Sequence, residues 1–205
     1  MMEIRLLQSR DMAKLGCMDC AGCSDCCRGM GTSVLLDPYD AMQLCTYFDK
    51  SFDHLIGNEV ELHVEDGLIL PSLAMQGEQE CCTFLDEAGR CSIHEYRPGL
   101  CRLFPLGRDY STGALKYFLL ENACSKQNRS KVKIEKWLNV PDLQNYEQFL
   151  TKWHALLKEL REKERTEEEQ KTICTLLLQR FYLQAYPTDG FYEFFDKLVQ
   201  DFPIG

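Results

Sequence analysis

The sequence predicts an α+β fold, in which a small cysteine-rich unit with short antiparallel hairpins is followed by an α-helical C-terminal extension. Eleven of the twelve cysteines precede residue 125. Two segments before that point alternate apolar and polar residues around turn signals, as hairpins do. After it, apolar residues recur at three- and four-residue steps, which is typical of amphipathic helices. We therefore predict a cysteine-rich domain over residues 1–125 and a helical extension, packed on it, over residues 126–205.

Length and composition indicate an ordinary folded protein. The chain has 205 residues, of which 45% are apolar and 27% charged, enough to bury a core. Its net charge of -9 argues against general nucleic-acid binding, because phosphates require a basic face. We find no apolar core of a signal peptide and no run of roughly 18 apolar residues that could span a membrane. We therefore expect a cytoplasmic protein without nucleic-acid or membrane partners.

The first predicted helix begins with favourable capping residues. Asp37 suits the N-cap, Pro38 suits the first helical position, and Asp40 lies near the positive end of the helix dipole. The apolar spacing predicts that this helix continues through Phe48. Cys45 falls among its apolar positions, so we interpret it as a buried core thiol.

Two hairpins are predicted in the cysteine-rich part. The first has Asp66 and Gly67 at its turn, a pair that favours tight hairpin connections. Its alternation assigns His63 to a polar face and a set of aliphatic residues to the apolar face. That set is Val60, Leu62, Val64, Leu68, Leu70 and Leu73. The second hairpin runs from Leu106 to Leu120 around a turn at residues 111–113.

The C-terminal part reads as helical. We interpret the basic run at residues 126–136 as the solvated start of a helix. A long amphipathic helix follows Pro141, and Thr166 with Glu169 forms a capping box for the next one. A short aromatic helix over residues 191–202 closes the chain.

The most unusual segment is Cys17-Met-Asp-Cys20-Ala-Gly-Cys23-Ser-Asp-Cys26-Cys27, with five thiols in eleven residues. A two-residue spacer allows two sulfurs to converge on one metal, so this segment has the spacing of a chelating loop. In a reducing compartment such clusters are metal ligands more often than disulfides. Adjacent side chains diverge, so we expect one of Cys26 and Cys27 to face a second metal atom or another partner.

A second chemically distinctive segment begins near residue 81. The turn at residues 86–89 is expected to fold Cys82 back towards Cys91. Pro98 can begin one helical turn that presents Cys101. The second hairpin then leads to Cys124.

Eight cysteines are therefore candidate metal ligands. They are Cys20, Cys23, Cys26, Cys27, Cys82, Cys91, Cys101 and Cys124. Two arginines, Arg97 and Arg102, flank Cys101, and we expect their guanidinium groups to donate to thiolate or sulfide and offset the charge of a bound cluster.

The order of these motifs resembles the YkgJ-like cysteine-cluster family. The resemblance spans roughly residues 17–125, and Cys17 and Cys81 are additional to the family pattern. It is carried by Cys20-x-x-Cys23-x-x-Cys26-Cys27, Cys82-x-Phe-Leu, Cys91-x-Ile-His and Arg97-Pro98-x-x-Cys101-Arg102-x-Phe-Pro105. It implies a small domain that chelates zinc or iron, in a group where some relatives are labelled flagellin N-methylase. The helical extension lies outside it.

The identity of the metal has two interpretations. Repeated Cys-x-x-Cys spacing is typical of loops around a 4Fe–4S cluster, where cysteine is nearly the only ligand. Zinc is the alternative, because Cys20, Cys23, Cys91 and His94 could supply a Cys₃His set. Eight cysteines complete two sets of four in either case. The contiguous loop favours the iron–sulfur cluster.

Three functions are compatible with these features. The first is a metal-binding protein, most simply an iron–sulfur protein, with a redox, electron-transfer or structural role. The second is a zinc-binding module whose aromatic C-terminal helix docks a protein partner. The third is a metal-dependent enzyme resembling a protein N-methylase. The sequence lacks the Gly-rich loop that binds nucleotide-like cofactors in doubly wound folds, and it indicates no catalytic residue.

Overall fold

The computed structural model describes residues 4–16, 23–126, 128–187 and 189–203. Within these ranges the chain forms eight short strands and six α-helices. The strands are β1 (Met12–Gly16), β2 (Val60–Glu65), β3 (Leu68–Leu73), β4 (Met75–Gln76), β5 (Cys81–Cys82), β6 (Leu106–Asp109), β7 (Lys116–Leu119) and β8 (Ser130–Lys133). The helices are α1 (Pro38–Phe48), α2 (Gly99–Leu103), α3 (Ile134–Leu138), α4 (Leu143–Glu162), α5 (Glu167–Phe181) and α6 (Phe191–Gln200). The α+β prediction is confirmed.

The described strands form four separate two-stranded antiparallel sheets, β1–β8, β2–β3, β4–β5 and β6–β7. Both predicted hairpins are present. In the first, Glu65 pairs with Leu68 across Asp66 and Gly67, whose φ angles are 48° and 81°. Two positive φ angles are what the tightest hairpin turn requires, and they explain this Asp-Gly pair.

The predicted apolar face of the first hairpin is wrong for two of its three β2 residues, although Val60 is buried as expected. Leu62 and Val64 are 38% and 72% exposed, whereas Leu68, Leu70 and Leu73 of β3 are buried. His63 is instead half-buried, with its Nε2 atom 3.2 Å from Glu61. The physical reason is that α5 packs on β3, so the side chains of β3 are buried, whereas beyond Val60 the strand β2 is mostly exposed.

The helix starts agree with the capping residues of the sequence. Asp37 and Asp40 form a reciprocal capping box at α1, and Thr166 and Glu169 form one at α5. Each box satisfies backbone N–H groups that have no partner within the helix. No helix in the described ranges is both long and apolar enough to cross a bilayer.

The basic run after residue 125 does not begin with a helix. Residues 130–133 form β8, which pairs with β1, and α3 starts only at Ile134. Val132 lies opposite Ala13, while the lysines on either side of Val132 are exposed. This period of two is the pattern of a strand, and the pairing partner more than 100 residues earlier is not visible locally.

The buried residues form two hydrophobic clusters. The larger joins residues such as Leu44 and Phe84 to Trp153 and Phe195 of the C-terminal helices. The smaller is Leu7, Ala13, Leu15, Leu103, Leu106, Tyr117, Ile134 and Leu138. Both clusters contain residues from either side of position 125, so the two predicted units share their cores. The boundary itself stays a prediction.

Candidate metal centre

A cavity of about 610 Å³ collects most of the candidate ligands. Seven of the eight line it, namely Cys23, Cys26, Cys27, Cys82, Cys91, Cys101 and Cys124. The eighth, Cys20, lies outside the described residues, as does Cys17. Of the described cysteines, Cys45, Cys81 and Cys174 are not part of the lining. Thiols that are up to 101 positions apart, from Cys23 to Cys124, therefore face one space.

The cysteine loop is tied to the segment that carries Cys124. A 3-10 turn, Asp25–Cys27, presents Cys26 and Cys27. The Ser125 hydroxyl donates a hydrogen bond to the Asp25 carboxylate, and this bond is the main cause of the lowered pKa of Asp25. The contact spans 100 residues and holds the two cysteine segments together.

Strand alternation separates Cys81 from Cys82. The two residues are consecutive in β5, so their side chains point to opposite faces. Cys82 is buried and lines the cavity, whereas the Cys81 Sγ atom lies 2.7 Å from a guanidinium nitrogen of Arg28. Cys81, which is additional to the family pattern, therefore lies outside the cavity lining.

A turn returns the chain from Cys82 to Cys91, as predicted. The backbone N–H of Asp86 donates to the carbonyl of Arg90 at 2.9 Å, and a β-bridge joins Leu85 to Cys91. Both cysteines consequently line the same wall.

Helix α2 carries Cys101 and is anchored by a buried carboxylate. The Gly99 N–H donates to an Asp40 carboxylate oxygen at 2.8 Å. Burial, followed by repulsion from Asp37, raises the pKa of Asp40 well above its usual value. The side chain of Tyr146 packs so closely that a Cβ atom on Gly99 would overlap its hydroxyl oxygen. Sequence reasoning placed Asp40 only at the start of a helix, and no local signal indicates its distant partner.

The thiols differ in their ease of ionisation. Burial raises the pKa of Cys82, Cys91 and Cys101. A hydrogen bond between the adjacent thiols lowers the pKa of Cys26 to about 6 and raises that of Cys27. Neighbouring thiolates repel one another, so full ionisation of this set requires positive charge at its centre. A thiophilic metal supplies that charge and binds the thiolate form.

Arg97 contributes positive charge at the cavity wall. One of its terminal nitrogens donates to Nε2 of His94, which also lines the cavity. The Nε atom of Arg97 is buried and has no hydrogen-bond partner among the residues that the structure describes. Burial, followed by the charge of Arg97, lowers the pKa of His94. His94 is therefore a neutral acceptor at Nε2, and its proton belongs on Nδ1.

Arg102 has a different position from the one predicted. It is not among the residues that line the cavity. Its guanidinium donates to the backbone carbonyls of Glu95, Arg97 and Asn139. Two of these carbonyls, those of Glu95 and Arg97, belong to or directly follow the 3-10 turn His94–Tyr96. These hydrogen bonds link α2 to the loop before it, and a role of Arg102 at the metal stays a prediction.

Cysteine thiols are suitable ligands for a thiophilic metal. In this structure the described thiols are distributed around the cavity and do not converge on a single position. Within the described residues, no group of three or more cysteine, histidine or acidic side chains is close enough to hold one ion. Thiolate sulfur suits zinc, iron and iron–sulfur clusters. The ligand assignments, including that of Cys20, stay predictions.

The fold and the cavity define a class of protein, a cysteine-rich chelating domain with a helical extension. The family model CxxCxxCC, described as "Putative zinc- or iron-chelating domain", matches residues 19–125, which is just over half of the chain. The chain belongs to this family, and the membership supports metal binding. Searches of curated proteins and of solved structures found no match.

Proposed function

We propose that the cavity holds an iron–sulfur cluster, with the lining cysteines and Cys20 as the pool of ligands, in a redox, electron-transfer or structural role. The observation that carries this proposal is the convergence of seven thiols on one cavity. Iron–sulfur clusters are bound almost entirely by cysteine thiolates. Family membership supports the metal, and the ligand set supports the cluster.

The size of the cavity favours a cluster over one zinc ion. Four zinc ligands lie about 2.0 to 2.3 Å from the metal, which draws them around a single point. Here the sulfurs surround about 610 Å³. A cluster contains several metal atoms and sulfides, so widely separated thiols can each bind a different corner. The adjacent Cys26 and Cys27 can then serve different metal atoms.

Zinc is the second candidate, supported by His94, which lines the cavity together with Cys23 and Cys91. The Nε2 atom of His94 accepts a hydrogen bond from Arg97. Coordination through Nε2 would require the arginine to leave, and it would bring a second cation beside a guanidinium group. This contact makes a Cys₃His site less favourable than an all-thiolate one.

The surrounding residues would adapt the site to a charged cluster. When bound, an iron–sulfur cluster supplies one-electron redox chemistry. Arg97 would offset thiolate charge, and its buried Nε atom, which has no partner within the described ranges, could donate to a sulfur of the cluster. Apolar side chains such as Val34, Phe84 and Ile93 exclude water from the thiol wall.

Elemental analysis of anaerobically purified full-length protein tests the proposal. We expect iron and acid-labile sulfide, with the broad visible absorption of a cluster. Cys101→Ser should lose most of both, while Cys45→Ser, which changes a cysteine outside the cavity, should retain them. Colourless protein that contains zinc without iron or sulfide would overturn the cluster in favour of zinc.

A further inference from the structure

The cavity has two chemically different ends. Cys82 and Cys91 belong to the end that packs against the larger hydrophobic cluster. The other end is walled by Leu15, Leu103, Leu106, Leu120 and Trp137, most of which belong to the smaller cluster. The thiols can hold metal at the first end. The second end offers carbon surface that no metal would occupy.

We propose that the second end is a binding site for a small organic anion with an apolar body, which lies beside the metal centre. The inference rests on the proposed function for what fills the thiol end. It adds a second ligand and its chemical class to the same cavity.

The size and lining support an organic ligand. Ligand pockets in proteins are usually about 300 to 1,000 Å³, mostly apolar, with a few polar groups that orient the ligand. The whole cavity, about 610 Å³, falls within this range, and the metal centre would occupy only its thiol end. A water molecule finds few hydrogen-bond partners on a wall of leucine side chains and an indole ring. Transfer of an apolar molecule from water to this wall is favourable in free energy.

The charge of the lining supports an anion. Arg90, Arg97 and Lys126 line the cavity, against one acid, Asp25. The surplus is positive although the whole chain has a net charge of -9. Arg97 already interacts with the thiols and with His94, so its positive charge is balanced by thiolates. Arg90 adjoins Cys91 at the thiol end, so Lys126 is the cation that remains for a second ligand.

Lys126 is the best placed of these cations. It is half-buried, lines the cavity, and follows Leu120 and Cys124 closely in the sequence. Its charge lowers the pKa of Asp25, but Asp25 accepts a hydrogen bond from Ser125. Among the described residues, no hydrogen bond or salt bridge joins Lys126 to another side chain. A carboxylate bound at Lys126 would leave its apolar body against the leucines and the indole ring.

Trp137 provides a reporter inside this end. Its indole N–H donates to the carbonyl of Phe104 at 3.0 Å, so the ring is fixed against the wall. The other tryptophan, Trp153, is buried among aromatic rings of the larger cluster and does not line the cavity. A change in fluorescence on binding therefore originates from Trp137.

The test uses full-length protein purified anaerobically, with iron, sulfide and zinc measured in the same sample. Phenylacetate is titrated against its neutral analogue phenylacetamide, by calorimetry and by tryptophan fluorescence. We expect saturable binding of phenylacetate with Kd at or below about 1 mM and at least roughly tenfold weaker binding of the amide. Lys126→Gln should reduce phenylacetate affinity to that of the amide. Lys136→Gln, which changes a lysine of α3 outside the lining, should leave it unchanged.

The outcomes separate the two proposals. The absence of saturable phenylacetate binding, in protein with or without metal, would overturn the anion site and leave the cluster standing. Equal affinity for phenylacetate and phenylacetamide would also overturn the anion site. This comparison uses the unmodified protein, so it does not depend on the folding of a variant. Phenylacetate binding by protein that lacks iron and sulfide would contradict the cluster alone.

Discussion

The carboxylate of Asp40 holds the first N–H of the helix that carries Cys101, by accepting a 2.8 Å hydrogen bond from Gly99 across 59 residues. Asp40 itself is fixed by the reciprocal capping box with Asp37. The start of α1 and the start of α2 are thus one buried polar unit. The position of a candidate ligand depends on a helix that contributes no ligand to the cavity.

Gly99→Ala should displace α2. The added Cβ would overlap the Tyr146 hydroxyl and approach a nitrogen of Arg108 to 2.9 Å. We expect a loss of about 1 to 3 kcal/mol in the free energy of unfolding, measured in urea, and lower iron content. Tyr146→Phe removes the overlapping oxygen, so Gly99→Ala combined with Tyr146→Phe should be more stable than the sum of the single changes predicts. Strict additivity would contradict this steric account.

The free energy of unfolding should decrease as the pH rises above the usual pKa of an aspartate. Burial, and then mutual repulsion, raises the pKa of Asp40 above the unfolded value of 3.8. The folded state therefore binds more protons than the unfolded state between that value and the raised pKa, and stability decreases across this window. Asp40→Asn should flatten the dependence in urea unfolding between about pH 4 and 7. Asp201→Asn, which changes an exposed carboxyl, should leave the slope as it is.

Cys82→Ser and Cys81→Ser should differ although the residues are adjacent. Cys82 lines the cavity, whereas Cys81 lies against Arg28 on the other face of β5. We expect Cys82→Ser to lose most of its iron and Cys81→Ser to retain it, by elemental analysis after anaerobic purification. Equal loss in both variants would place both thiols at the metal.

In metal-free reduced protein, Cys26 should react first with iodoacetamide at pH 7. A hydrogen bond from Cys27 lowers the pKa of Cys26 to about 6, and its thiol is exposed. Thiolate is therefore the main form at pH 7 and is lost as pH falls below 6. Peptide mass spectrometry of timed samples measures the order of modification. In Cys27→Ala the advantage of Cys26 should disappear, because that variant lacks the donor.

Local signals in the sequence were the most informative. The capping residues Asp37 and Thr166 and the turn at Asp66 and Gly67 act through neighbours a few residues away, and all three predictions are confirmed. Spacing also selected cysteines that the structure gathers on one cavity.

Features that depend on distant packing were missed or misassigned. The pairing of β1 with β8 joins residues more than 100 positions apart. Val64 is exposed because the core packs against β3 and not against the end of β2. Alternation of apolar residues does not show which of two paired strands is covered. The hydrogen bonds of Arg102 to backbone carbonyls likewise involve residues that its position after Cys101 does not indicate.

The pairing of β1 with β8 also sets an order for biogenesis. A nascent chain that has emerged only to residue 125 already contains every candidate ligand, yet it lacks the strand that holds Leu15 in place and the indole of Trp137 that closes the wall. The lining of the cavity is therefore complete only after this later segment has been synthesised.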